Sequence, residues 1–323
     1  MKKIAISGST GFLGLNLVKK LKKEFELTLL TRDQKKFDEL KKKFPNVTIK
    51  IIDWNNIQNI QENFKNIEIF IHAGAMLPTR ASANNKDIIH SSLSIVENIN
   101  KSQVRLEKFI FISTLRTCIN LNEDCFFDNT KYNFFEYDTQ YGKSKFLTEE
   151  YLKKNYNFPL IICAPAHILG PETVDIAKSN DVILKMFNKK IVFITKAKYS
   201  IVHVEEVCES IYKIILTNKK YVKYLIANQN PTLEDIAEIV EIVDGIKKIK
   251  IKIPLFLINI LSLFFEILNK LMNLKNIPIN RSSFHFIKLF RDFKGKNINE
   301  LNVNFRHTKE IIDEIYKYEN SKD

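Results

Sequence analysis

Seven residues near the amino end do most to limit what this chain can become: Gly8-Ser9-Thr10-Gly11-Phe12-Leu13-Gly14. They stand between an apolar run, Lys3–Ser7, that reads as a strand, and a helical pattern from Phe12 to Glu24. Glycine at the first position permits a tight turn, and at the second it lets backbone approach a pyrophosphate. At the third it lets helix pack against strand. The helix that follows offers its free N–H groups and partial positive charge to the same phosphates. The chain has only eight glycines in 323 residues, so three at this spacing in a strand–turn–helix setting read as a phosphate loop.

The rest of the first half repeats the same alternation. Leu27–Thr31, Val47–Ile52, Ile67–Ala73, Lys108–Ser113 and Leu160–Ala164 read as strands, separated by helical patterns at 34–43, 57–64, 84–101 and 141–155. Such regular alternation predicts crossover units and a parallel sheet covered on both faces, an α/β, Rossmann-type doubly wound fold. After Gly170-Pro171 the rhythm changes. A helix is expected over Val174–Asn188, a strand near Ser200–His203, a helix over Val204–Leu216 and a strand over Tyr221–Ala227. A further helix runs from Thr232, its cap, to Val243, where Gly245 closes it. The expected organisation is a dinucleotide-binding domain over 1–170, rejoined by 199–228, with a smaller, mostly helical substrate lobe from 171–198 and 229–323.

Charge narrows the partners. Lys and Arg number 50 against 37 Asp and Glu, a net charge of +13, but only seven are Arg and the lysines run along the whole chain. A diffuse balance of this kind argues against nucleic acid and favours anionic small molecules. Four cysteines without a Cys-x-x-Cys pair exclude a disulfide scaffold and a zinc ribbon, imply no metal site, and fit a reducing cytoplasm. Ser7-Gly8 breaks the first apolar run too early for a signal peptide. The most apolar segment, Leu255–Met272, opens after Pro254 and carries one polar stripe at helical spacing. It is expected not to span a membrane but to lie buried on three sides, the alternative being a membrane surface or a partner.

About 20 residues beyond the phosphate loop, where an acid would hold the ribose hydroxyls of NAD, stands Arg32. A guanidinium there favours the 2′-phosphate of NADP over NAD, with Asp33 the competing residue for NAD. Asp53, at the end of the third strand, is either an acceptor for the adenine amino group or a plain strand-end cap. Tyr141 and Lys145 lie one helical turn apart, hence on one face, where an ammonium can stabilise a phenolate and reach ribose hydroxyls. The carboxyl end of the fifth strand supplies two adjacent hydroxyls, Ser113 and Thr114.

Together with His72-Ala73-Gly74-Ala75, Pro165-Ala166-His167-Ile168-Leu169-Gly170-Pro171 and Val202-His203-Val204-Glu205-Glu206-Val207, these segments resemble the extended short-chain dehydrogenase/reductase superfamily, of NAD-dependent epimerase/dehydratase type. The resemblance implies Tyr141 as acid–base residue, Lys145 as its electrostatic partner, Thr114 as the hydroxyl on the reacting carbonyl and Ser113 as its neighbour. It implies a cofactor lined by Gly8, Thr10, Gly11, Phe12, Leu13, Gly14, His72, Ala73, Gly74 and Pro165. It also implies a homodimer through the helices at 84–101 and 141–155, with apolar material from Ile88, Leu93, Ile95, Ile99, Phe146 and Leu147.

Departures matter as well. Thr114 is followed by Leu115-Arg116-Thr117-Cys118, without the Asp-Glu pair of the 4,6-dehydratases, Ala164 replaces an Arg before Pro165, and the family's relay Asn is replaced near Ser91-Ser92. Arg116 is a candidate for a substrate phosphate or carboxylate, or else a solvated loop residue. His167 and His203 are candidates for the substrate, or else packing residues. The leading expectation is an oxidoreductase or epimerase acting on a nucleotide sugar. The alternative is an NADPH-dependent reductase of a lipid or small ketone, similar to flavonol reductases and hydroxysteroid dehydrogenases. A dinucleotide sensor without turnover would lack the Tyr or the Lys, and both are present.

Overall fold

The structure, a computed structural model, describes residues 1–75, 85–118, 140–156, 158–171, 179–227, 229–272 and 297–322. It opens with β1 (Lys3–Ser7), α1 (Phe12–Leu21), β2 (Glu26–Thr31), α2 (Gln34–Lys43), β3 (Thr48–Ile51), α3 (Ile57–Phe64) and β4 (Ile69–His72). Next come α4 (Asn85–Lys101), β5 (Lys108–Ile112), α5 (Gln140–Asn155), β6 (Leu160–Pro165), β7 (His167–Leu169) and α6 (Asp181–Leu184). The rest is β8 (Ile191–Ile194), β9 (Ile201–His203), α7 (Val204–Leu216), β10 (Val222–Ile226), α8 (Leu233–Asp244), β11 (Ile249–Lys252), α9 (Leu255–Met272) and α10 (Thr308–Asn320).

Seven strands form one parallel sheet in the order β10-β6-β5-β4-β1-β2-β3. The order in which strands are added reverses between β1 and β4, and that switch point opens a crevice at the carboxyl ends of both strands. Residues alternate across the sheet as strand geometry requires. Ile4, Ile6, Ile110 and Ile112 pack on one face with α1 and α7, through Leu17, Leu21, Ile211 and Ile214. Ala5, Phe70, Phe109 and Phe111 pack on the other with α3, α4 and α5, through Phe64, Val96, Ile99 and Leu152. A buried lysine ties two layers together: Lys108 Nζ on β5 donates to the carbonyls of Ile214 (2.9 Å), Ile215 (3.0 Å) and Thr217 (2.6 Å). A cation there satisfies the orphan carbonyls at the end of α7.

A third cluster joins Ile183, Val192, Ile194, Ile236, Val240, Ile311, Ile312 and Ile315. It depends on residues near the end of the chain, and the segment before α10 is fastened to α7 as well. The Arg306 N–H donates to Glu206, and its guanidinium bonds to His203 and Glu205.

Four expectations need correction. Of the segment expected to return to the dinucleotide-binding domain, Val204–Leu216 packs on the sheet and Val222–Ile226 joins it, whereas Ile201–His203 pairs with His167–Leu169. The helix expected over Val174–Asn188 is only Asp181–Leu184 where described, residues 172–178 lying outside the described set. Asn180 breaks it, since its buried amide bonds to both the N–H (3.3 Å) and the carbonyl (2.7 Å) of Gly170. Strands β8 and β11, unanticipated, form a two-stranded parallel sheet. Finally, α9 is not buried on three sides: Phe256, Leu257, Ile260, Leu263, Phe264 and Ile267 are all exposed. No helix among the described residues is long and apolar enough to cross a membrane.

Candidate active site

The glycine loop sits where the switch point needs it. Gly8 has φ +77°, and a Cβ there would lie 2.4 Å from the backbone N of Gly74, so only glycine lets the ends of β1 and β4 approach. A Cβ on Gly14 would fall 2.1 Å from the Gly8 carbonyl oxygen. Gly11 opens α1 without a side chain to cap it, and its N–H donates to Gly8 O at 3.0 Å. The first-turn amides of α1 are therefore open to an anion.

Three buried polar atoms around this loop lack a hydrogen-bond partner: Ser9 Oγ, Thr31 Oγ1 and His72 Nε2. They belong to the loop after β1 and to the last residues of β2 and β4. Orphaned buried groups are rare enough to need a reason, and clustered at one crevice they suit a polyanionic dinucleotide with hydroxyls. His72 shares a 2.6 Å hydrogen bond through Nδ1 with Ser7 Oγ. Burial, then Lys145 and Arg32 nearby, push its pKa down to about 3, so the ring is neutral. The residues present fit a nicotinamide dinucleotide. Gly8, Gly11, Gly14 and the start of α1 would cradle its diphosphate, with Thr10, Phe12 and Leu13 on the same turn and His72, Ala73, Gly74 and Pro165 at adjacent strand ends.

At the ribose end, Arg32 is exposed just past β2. Asp33 is already employed, accepting from Lys36 N at 2.9 Å as the N-cap of α2. Asp53 lies just past β3 and accepts from Asn55 N at 2.9 Å.

Beyond β5 the catalytic candidates converge. Lys145 is fully buried on α5, and its Nζ donates to Ile112 O (2.7 Å) and Gly74 O (3.4 Å), 4.7 Å above the Phe111 ring. Burial pushes its pKa down to about 7, against the pull of Glu149. Tyr141, one turn earlier, is half-buried. Burial pushes its phenol up to about 12, while Arg116 acts in the opposite direction. The two adjacent hydroxyls separate cleanly. Ser113 is buried and donates to the Glu149 carboxylate, whereas Thr114 is half-buried with its Oγ1 accepting from Arg116 N at 3.4 Å.

Beneath this surface lies a network that pattern reading missed. Glu149 Oε2 meets Lys223 Nζ of β10 at 2.8 Å, and the Thr117 hydroxyl donates to Glu149 Oε1 (2.7 Å) while accepting from Lys223 (2.9 Å). Glu149 completes a Tyr141–Lys145–Glu149 stripe at four-residue spacing, and Lys223 is an ionisable residue inside an apolar strand. Both signals are legible in the sequence.

Arg116 lies in a short 3₁₀ turn (Leu115–Cys118), close enough to Tyr141, His167 and Tyr199 to bias the titration of all three. His167 donates from Nε2 to Ser179 O (2.6 Å), packs 4.8 Å from the Tyr199 ring, and is held below the usual histidine range mainly by burial. His203 is elsewhere. Its fully buried ring caps α7 by accepting from Glu205 N at 3.3 Å and bonds to Arg306. Tyr199 is an addition to the candidates.

The family model described as NAD dependent epimerase/dehydratase matches residues 4–227. No curated protein matches the chain by sequence. Among solved structures, that of gox2253 superposes with a TM-score of 0.75 at 20% identity, covering 100% of this chain and 99% of its own. Gre2 from Candida albicans gives 0.71 at 16% identity, with 100% of both chains covered. UDP-glucuronic acid 4-epimerase from Bacillus cereus, solved with UDP-glucuronic acid and NAD, gives 0.64 at 15% identity, covering 99% and 100%. Similarity at this level speaks to the fold.

Proposed function

From the premise that this chain belongs to the NAD-dependent epimerase/dehydratase family, and is an enzyme of that kind, we propose an NADPH-preferring oxidoreductase that reduces a carbonyl on an anionic substrate, a nucleotide sugar. The observation that carries the substrate charge is Arg116, a half-buried cation whose field reaches Tyr141, His167 and Tyr199 together. A phosphate or carboxylate beside it would bring the reacting carbon to the Tyr141 phenol.

The bound dinucleotide supplies the hydride for such a reduction. The chain's own residues do the rest. Thr114 and Tyr141 present hydroxyls to the carbonyl oxygen, and Tyr141 gives up the proton as that oxygen becomes an alkoxide. Its high pKa keeps the phenol protonated before the reaction, as an acid requires. Lys145, held at the crevice floor by Ile112 O and Gly74 O one helical turn from Tyr141, would stabilise the phenolate left behind and bond the ribose hydroxyls of a bound dinucleotide. Arg32 exposed beside a committed Asp33 supports the 2′-phosphate and hence a cofactor exchanged at every turnover. An epimerase would instead retain it.

A second reading, reduction of a lipid or small neutral ketone, is favoured by the apolar surface of α9. Titrating the NADP-loaded protein with UDP, dTDP and GDP sugars and with neutral ketones separates the two, since only the anionic ligands should need Arg116.

We also propose that residues 171–198 and 229–323 form the substrate lobe and that the enzyme works in a reducing cytoplasm. In solution it pairs through α4 and α5, where Leu93, Ile95, Phe146 and Leu147 are half-buried and Ile99 faces its own sheet. The Ile88 side chain lies outside the described residues. A monomer by light scattering would overturn the pairing.

A further inference from the structure

Helix α9 carries an exposed apolar surface that includes none of the residues named above for the cofactor or the catalytic step. Phe256, Leu257, Ile260, Leu263, Phe264 and Ile267 are each 40–67% exposed, whereas Ile258 is 4% exposed. At about 100° per residue those six fall within an arc of roughly 120°, and Ile258 falls on the opposite side. The helix thus rests on one apolar face and shows another to the outside. At its base the two-stranded sheet does the same. Ile191 pairs with Ile249 and Phe193 with Ile251, and these four side chains are exposed on one face. Two residues separate β11 from α9, and there Ile253 N donates to Ile194 O at 2.9 Å, fastening the helix to the end of β8. Isolated exposed hydrophobics are ordinary, but ten on adjoining elements form an interaction surface.

We infer that this surface docks on an anionic lipid bilayer, with α9 lying along the interface. Charge selects the occupant. The chain carries +13, and the residues immediately after α9, 273–296, hold six Lys and Arg against one Asp. At the ends of the two exposed strands Lys189, Lys190, Lys196 and Lys247 are exposed as well, so a second copy meeting this one stripe to stripe would bring these cations against themselves, whereas acidic headgroups are complementary to them. Helix α9 is apolar enough to enter the headgroup boundary and not to cross.

The test uses the full chain and sedimentation with vesicles of phosphatidylcholine plus phosphatidylglycerol, against phosphatidylcholine alone. Binding should favour the anionic vesicles and weaken as salt rises. Phe256→Asp/Phe264→Asp should lower vesicle affinity at least ~100-fold, roughly tenfold for each Phe withdrawn, and leave cofactor binding unchanged. The milder Phe264→Trp guards against misfolding, because its added emission should shift to the blue with anionic vesicles. No sedimentation together with no shift would overturn the inference, as would vesicle binding indifferent to the Asp pair. So would a dimer that the Asp pair converts to monomer without any vesicle binding, which would assign the stripe to a second copy.

Discussion

Glu149 on α5 and Lys223 on β10 form an ion pair at 2.8 Å with side chains 1% and 3% exposed, directly under the hydroxyls of Ser113 and Thr117. Burial alone works against the Lys223 charge, but Cys118 and Glu149 beside it hold the ammonium above the usual lysine range. The pair fixes the turn that carries Thr114 and Arg116 by holding the residues on either side.

Removing one member should therefore hurt more than removing both. Lys223→Met leaves a carboxylate buried among hydroxyls and should cost about 3–5 kcal/mol, a fall in Tm on the order of 10 °C. Lys223→Met/Glu149→Gln removes both charges, keeps an acceptor for Ser113 and Thr117, and should recover more than half of that loss by thermal denaturation.

Tyr141→Phe should lower turnover at least ~100-fold while dinucleotide binding persists. Lys145→Met should reduce both, because the role proposed for its ammonium touches phenol and ribose alike. Equal turnover in wild type and Tyr141→Phe would remove the acid–base assignment.

Arg32→Asp should weaken NADP by about 10- to 100-fold, the scale of a lost charge-assisted contact, and leave NAD unchanged or improved. Asp33→Ala should instead lower stability by about 1 kcal/mol through its lost cap, with little effect on either dissociation constant. Tighter binding of NAD than of NADP by the wild type would refute this account of the second strand.

Arg116→Ala should cut kcat/KM for an anionic sugar nucleotide about 10- to 100-fold and leave neutral ketones nearly untouched. Equal losses for both would make Arg116 a structural residue of its turn.

Stability should fall in mild acid. The folded His72 titrates near about 3, against about 6.5 in the unfolded chain, so the unfolded state binds more protons between those values. Stability is complete above that window and lost as pH falls through it, at roughly 1 kcal/mol per pH unit near its middle. His72→Gln should flatten this limb in denaturant titrations from pH 7 to 4.5.

The glycine loop and the Tyr141–Lys145 spacing were legible because each is written in residues close in sequence, and the sheet because each of its strands is an apolar run set between helical patterns. What was not legible depends on distant partners. Strands β8 and β11 pair only with each other across more than fifty residues, so neither is announced by its neighbours. The spacing in α9 reveals faces but not which one meets the protein. For His203 the sequence left packing and substrate both open. Its ring bonds to Arg306, which arrives about a hundred residues later and which no local pattern announces.

That late arrival has a consequence for synthesis. The cluster around Ile183 and Ile236 closes only when Ile311, Ile312 and Ile315 reach it, and α7 is latched by Arg306. The seven-stranded sheet can assemble once Val222–Ile226 has left the ribosome, but the cluster beside it must wait for Ile315, nearly ninety residues later. Folding should therefore proceed in two stages, with the cluster's apolar strands offered to chaperones in between. A chain stopped at residue 296 would remain at the first stage.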